Sequence, residues 1–517
     1  MILKVPSVPV RDIALKEEIL MRTFPKPVAL LLVVASLYFP FAGTALAGPG
    51  DLDVTFGSGG LATTEFAYSG VIESLALQSD GKIVAAGVEF TSNSNGNFAL
   101  ARYNVGGSLD TTFGNGGVAT TTFGGQRATA WSVKVYQSGP NAGKILAAGD
   151  NQVTVGGVVQ FALARYNPDG TLDTTFDGDG KVITGFANQG DIGAQSQAFS
   201  VAIQSDGKIV AAGAFFKFFA TAWDIALARY NPDGSLDASF DGDGKVITDI
   251  GGFDLGMGDV ADAVVVLPDG KILVAGHAAV SSQNSTDFAL VRYNSDGSLD
   301  GTFGSGGMVT TDFGTALDNA YEMAVQTDGK IVLAGHAGDF PTADFAVARY
   351  LPDGALDTSF DGDGKVTTNL GGWDNGKSVA IQTDGAIDVV GYTNVGSTGF
   401  NFAVARYSTD GSLDPSFGIG GKVFTDFVGG PDSANAVVVQ PDSRIVAGGS
   451  GGTDDFALAR YGEASEPPPG PSVPSTGAVG LIAIAAGMAG AAWLAGVRRK
   501  RRQAGRRASP EHPRSWK

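Results

Sequence analysis

Between residues 51 and 461 the chain is a succession of short apolar runs separated by Asp-Gly and Asn-x-Asp-Gly turns. In Phe288-Ala289-Leu290-Val291-Arg292-Tyr293 the residues alternate between Phe, Leu and Arg on one face and Ala, Val and Tyr on the other. A strand wet on one side would alternate apolar with polar, so this pattern predicts strands buried on both faces. Four such runs recur in order, as at 245–248, 263–266, 271–275 and 288–293. Asp206-Gly207 and Asp269-Gly270 separate the second run from the third, and Asp-Gly takes the positive φ that closes a tight hairpin.

The runs belong to a repeat. Leu-Asp-x-x-Phe begins at Leu52, Leu109, Leu172, Leu236, Leu299, Leu356 and Leu413, at intervals of 57, 63, 64, 63, 57 and 57. Each copy closes on an Arg-Tyr pair, from Arg102-Tyr103 to Arg460-Tyr461. Seven units of four strands, buried on both faces, predict an all-β, seven-bladed β-propeller spanning 48–461. An open β-solenoid is the alternative, although its coils are usually shorter than this period. The seventh Arg-Tyr has no Leu-Asp-x-x-Phe after it, and Leu52–Phe56 is expected to take that place and close the ring. The Leu-Asp-x-x-Phe-Gly, Asp-Gly-Lys-Ile-Val-x-Ala-Gly and Phe-Ala-Leu-Ala-Arg-Tyr-Asn-x-Asp-Gly signatures resemble the delta-60 repeat family over residues 51–461. The resemblance implies a bacterial exported protein and leaves its activity open. The sixth copy departs at Gly385-Ala386-Ile387-Asp388, losing the usual Lys and gaining a charge in the third run, and is expected to be the weakest.

The two ends read as addresses. Arg22 and Lys26 precede an apolar stretch at 28–37, and Ala45-Leu46-Ala47 is a small-x-small cleavage site, which makes 1–47 a signal peptide with Met21 as its fitting start. A proline-rich linker with a sorting motif covers 462–477, an apolar segment long enough to span a bilayer covers 478–497, and a basic tail covers 498–517. Arg498 to Arg502 hold that tail on the cytoplasmic side and leave the repeats outside. Val473-Pro474-Ser475-Thr476-Gly477 resembles the sortase pentapeptide, and the resemblance implies a cut between Thr476 and Gly477. The implied partners are signal peptidase and a sortase-like or other C-terminal processing enzyme. A retained transmembrane anchor is the competing reading. Removing both ends leaves 21 Lys and Arg against 49 Asp and Glu, a net charge of −28 that repels nucleic acid. The chain holds no cysteine, so thiolate chemistry and disulfide staples are excluded.

Candidate chemistry is sparse. Phe215, Phe216, Phe218 and Phe219, with Trp223, stand where other copies carry Ser, Asn, Thr and Gly, and are the expected ligand contact. Packing of these rings on a neighbouring blade is the alternative. Asp177-Gly178-Asp179-Gly180, Asp241-Gly242-Asp243-Gly244 and Asp361-Gly362-Asp363-Gly364 offer oxygens for structural calcium, but copies one, two, five and seven lack these Asp residues and hairpin turns explain the pattern. His277 and His336 follow Ala-Gly in successive copies, where the other copies have Val88, Asp150, Ala214, Tyr392 and Ser450; two imidazoles without a third ligand are not a metal site. The repeated Arg-Tyr pairs, and Asp287, Asp344 and Asp455, are assigned to structure. With no nucleophile motif and no metal set, the expectation is a non-enzymatic cell-surface binding or adhesion scaffold without cofactor. An extracellular hydrolase or lyase and a structural envelope component are the rivals.

Overall fold

The computed structural model describes residues 48–462 except 93–94, 154–156, 187–193, 217–222, 252–257, 282–284, 396–398, 428–429 and 453–454. The signal peptide, linker, sorting motif, apolar segment and basic tail lie outside these residues. Every regular element described is a β-strand, from Leu61–Thr64 to Asp455–Tyr461. Among the described residues no helix is long and apolar enough to cross a membrane.

The strands pair antiparallel in fours. Val260–Val266, Ile272–Ser281, Ser285–Tyr293 and Met308–Thr311 form one such sheet in that order. Three further fours stand alone, and three are joined into a twelve-stranded path by single parallel pairs, Gly96 with Arg127 and Val159 with Gln195. The strand containing Phe-Ala-Leu-Val-Arg-Tyr is buried on both faces from Phe288 to Tyr293.

The phase of the unit differs from the expected one. The Lys-Val-x-Thr strand does not open a sheet but closes the preceding one: Lys245–Thr248 pairs with Trp223–Tyr230. The reason is local. After Tyr230 the Leu-Asp-x-x-Phe segment folds back, with Leu236 bridging Tyr230 and the Arg229 N–H donating to the Gly244 carbonyl at 2.9 Å. The returning chain therefore lies antiparallel to the strand it has just left. In this segment Gly57, Gly114, Gly304 and Gly418 alternate with Asp177, Asp241 and Asp361, all at φ near 50°. Glycine takes this left-handed conformation freely and Asp tolerates it, so the Asp residues vary between copies.

The sheets stack through their inner strands. Ser69–Leu77 packs on Arg127–Val135, each inner strand packs on the next, and Ser433–Val439 packs back on Ser69–Leu77. Apolar clusters fill the spaces between neighbouring sheets, including one that joins Phe56, Ile72 and Ile83 to Val446, Phe456 and Leu458. That seam closes by exchange: Leu61–Thr64 pairs with Asp455–Tyr461, and Leu52 bridges Tyr461 as Leu109 bridges Tyr103. The ring thus closes among the described residues.

The Arg-Tyr pair clamps each sheet in two directions. Tyr166 donates back to Thr121 and Tyr230 to Thr184, both at 2.8 Å. Arg165 reaches forward to the Pro232 carbonyl at 2.5 Å, binds Asp173 at 2.6 Å and lies over Phe176. Burial alone would raise the Asp173 carboxyl, but hydrogen bonds from Lys144, Thr175 and Arg165 hold it well below the usual range. Across the seam Arg460 repeats the arrangement with Asp53 at 2.8 Å and the Val105 carbonyl.

Candidate axial binding site

The lining of the axis follows from one glycine in each second strand. At Gly87, Gly149, Gly213, Gly276, Gly335, Gly391 and Gly449 a Cβ would lie within 2.0 Å of an inner-strand carbonyl oxygen. Only glycine lets the two backbones approach this closely. Directly afterwards the inner strand takes in one extra residue, with register shifts between Ile72 and Ser74, Ala130 and Ser132, Ala198 and Ser200, Ala261 and Ala263, Ala320 and Glu322, Gly376 and Ser378, and Ala434 and Ala436. The extra residues are Glu73, Trp131, Phe199, Asp262, Tyr321, Lys377 and Asn435. All seven are half-buried and line one cavity of about 380 Å³, with Lys134 and Glu322.

The bulges are tied to one another around the axis. Ser74, Ser132, Ser200 and Ser378, each next to an extra residue, accept the N–H of Val133, Val201, Val264 and Val437 in the following sheet at 3.1–3.3 Å. Ala263 has no hydroxyl to offer Met323, and there the Glu322 carboxylate takes the Met323 N–H itself at 3.0 Å.

The lining divides into two walls. Trp131 meets Phe199 edge-on at 5.7 Å, and its indole N–H is spent on Asp150 at 2.5 Å, leaving an aromatic surface without a donor. The other wall is polar. The buried Oδ2 of Asp262 lies 3.2 Å from His277 Nδ1. Lys377 sits 3.7 Å over the Tyr321 ring, which stacks on His336. Asn435 donates to Glu73 at 3.1 Å. Desolvation, only partly offset by Lys377 and Arg127, pushes the Glu73 carboxyl up to about 8. Burial also raises Glu322, against the pull of Lys134. His336 is pushed down to about 4 by burial, then by Lys377 and His277.

Six segments, residues 78–113, 143–176, 204–240, 267–303, 326–360 and 382–417, match the family model described as "Domain of unknown function (DUF5122) beta-propeller". The chain is a β-propeller repeat protein. The matched unit runs from just before the Asp-Gly turn to the Phe of Leu-Asp-x-x-Phe. The last copy of this propeller is divided between the chain's two ends and offers no continuous match. No curated protein matches the chain. Among solved structures, a protein of unknown function from Dyadobacter fermentans DSM 18053 is 12% identical, covering 78% of this chain and 98% of its own, with a TM-score of 0.39. The β-propeller domain of the Trilobed protease from Pyrococcus furiosus, described as having an open velcro topology, is 11% identical, covering 77% and 94%, at 0.36. The polysaccharide lyase PL25 ulvan lyase is 10% identical, covering 77% and 95%, at 0.42. At these values none of the three bears on this propeller's chemistry.

The residues singled out from sequence fall elsewhere or at the rim. Phe215 is buried in the propeller's core against Phe186, and Phe216 is half-buried and pairs across the hairpin with Trp223, ring centroids 5.2 Å apart. Phe218, Phe219 and the sorting residues Val473–Gly477 lie outside the described residues. His277 and His336 sit across from Val260 and Asn319 of the inner strands, beside the axis. At the Asp-Gly-Asp-Gly turns, Asp179, Asp243 and Asp363 each accept the N–H of the Lys two residues on at 2.9 Å, as a hairpin turn requires. Three carboxylates that could share a cation, those of Asp287, Asp312 and Asp318, lie between two blades. Burial, then repulsion from Asp312 and Asp318, pushes Asp287 up to about 6.

The axial residues were missed in the sequence because no motif marks them. The signal that finds them is the reverse of a motif. Aligning the copies on this glycine, and allowing four more residues in the second copy, leaves one column of large, dissimilar residues flanked mostly by small ones.

Proposed function

We propose that the chain is a seven-bladed β-propeller, exported and displayed at the cell surface, that binds a ligand at its axis without transforming it. One observation carries this reading: seven structurally equivalent bulges hold seven different side chains, while the glycines and Tyr–Thr clamps around them repeat. A residue that maintains the fold is the same in every blade, whereas a site for one asymmetric ligand needs each position to differ. Display outside the cell rests on the signal peptide and the C-terminal segment, and the repeat signatures support membership of the delta-60 kind. Processing between Thr476 and Gly477 would leave the propeller attached to the envelope. Purified residues 48–464 would be exposed to envelope and culture extracts, washed, and examined by native mass spectrometry. The same would be done with a Trp131→Ala, Lys377→Ala variant of unchanged circular dichroism. A species retained by the parent and lost from the variant supports the reading. Retention of nothing, or equal retention by both, overturns it. Conversion of the captured species would replace it with a hydrolase or lyase, for which a protonated Glu73 is the relevant acid.

A further inference from the structure

The division of the channel into two walls speaks to the kind of ligand, given that the channel is the binding site. The aromatic wall, Trp131 and Phe199, presents apolar surface alone because the indole N–H is already engaged by Asp150. The rest of the lining carries acceptors and donors together: Asp262, Asn435, Glu73, Glu322, Lys134 and Lys377. Half-buried donors and acceptors lose their water when a ligand fills the channel, so the ligand that fits must itself both donate and accept.

Alternative chemistries fit less well. A flat aromatic ligand would satisfy Trp131 and Phe199 and offer nothing to the polar lining. An anion would face the carboxylates of Asp262 and Glu322, and one of the two ammonium groups, Lys377, is already seated on the Tyr321 ring. A cation would meet the Lys134 and Lys377 ammonium groups in the same channel. A pyranose ring has one apolar C–H face and an edge of hydroxyls that both donate and accept. The cavity of about 380 Å³ lies within the ~300–1,000 Å³ usual for small-molecule sites.

We propose that the axial channel binds a neutral pyranose sugar, with its C–H face on Trp131 and Phe199 and its hydroxyls on Asp262, Asn435 and Glu73. At neutral pH the Glu73 carboxyl keeps its proton, and so can donate to one hydroxyl and accept from another.

The test is calorimetric titration of residues 48–464, a ring that closes on itself, with neutral hexoses, N-acetylhexosamines and their disaccharides. Glucuronic acid and glucosamine serve as charged controls, and immobilised neutral polysaccharides separate a free sugar from the end of a glycan. Saturable binding of a neutral sugar is expected. It should weaken at least about tenfold in Trp131→Ala and in Asp262→Asn and be largely retained in Trp131→Phe, all three with parental melting curves. Charged sugars binding as well as neutral ones, or Trp131→Ala binding as the parent does, would overturn the proposal. If the mass-spectrometric capture returns a ligand that is no sugar, the sugar assignment fails while the axial site stands. If it returns nothing, both fail.

Discussion

Replacing Asp by Ala at the same motif position in two copies should have very different costs. Asp173 is 3% exposed and binds Arg165 at 2.6 Å and Lys144 at 2.7 Å. In the sixth copy the equivalent residue is Asp414, whose side chain accepts from Ser416. There Ala386 stands in place of the Lys, and Arg406 binds Asp388 in the adjacent strand at 2.6 Å, with Gln382 donating to the same carboxylate. Asp173→Ala leaves a buried guanidinium without its counter-ion, which costs roughly 3–5 kcal/mol. Asp414→Ala removes a half-buried turn contact worth about 0.5–1.5 kcal/mol. At about 2.1 cal/mol/K per residue, a repeat region of roughly 400 residues has an unfolding entropy near 0.85 kcal/mol/K, so each kcal/mol moves Tm by about 1.2 °C. The expected drops are about 4–6 °C for Asp173→Ala and under about 2 °C for Asp414→Ala, read by circular dichroism at pH 7 with a fixed scan rate. Equal drops would refute the claim that Arg406 has changed partners. A larger drop for Asp414→Ala would refute the view of these Arg–Asp pairs as clamps.

Three further outcomes follow from the same geometry. Deleting residues 48–64 removes the strand that closes the ring, the buried Phe56 and the partner of Arg460; a fall in Tm of roughly 7 °C or more is expected, and an unchanged melt would mean the ring does not close through the N-terminal strand. Gly213→Ala places a Cβ 1.8 Å from the Gln197 carbonyl oxygen and should cost at least ~1–3 kcal/mol in chemical denaturation, whereas Gly242→Ala, with open space around it, should be limited to its backbone strain. Glu73 is held above its ordinary value, so the folded state binds its proton more tightly than the unfolded chain does; its contribution is full below about pH 4.5 and is lost as pH rises towards 8. Glu73→Gln should therefore lose less stability than the parent between pH 5 and 8.5, and parallel stability–pH curves would show that the carboxyl is not desolvated.

How far each feature could be read from the chain depends on whether its cause is local. The strands, their burial on both faces and the turn chemistry were legible because alternation and Asp-Gly signals act within a few residues. The place of Leu52 at the ring's closing edge was also legible, since the seventh Arg-Tyr lacks its expected successor and the pairing with Tyr461 supplies it. The departure of the sixth copy was legible in the loss of a Lys and the arrival of Asp388. That this charge is buried together with Arg406 depends on two strands meeting at Asp388 and Arg406, which periodicity does not show. The aromatic loop drew attention by composition, yet hairpin register decides that Phe215 turns inward and Phe216 pairs with Trp223.

By itself the sequence determined the repeat, the strand content and the residues that must be alike in every blade, because these respond to local backbone preference and to burial repeated at a fixed interval. Only the tertiary structure decided which sheet each Lys-Val-x-Thr strand joins and which residues meet at the axis. Glu73, Trp131, Phe199, Asp262, Tyr321, Lys377 and Asn435 stand far apart along the chain. They converge because each is the extra residue of a bulge made where a glycine lets two strands come too close for any side chain, on inner strands that packing gathers around a common centre.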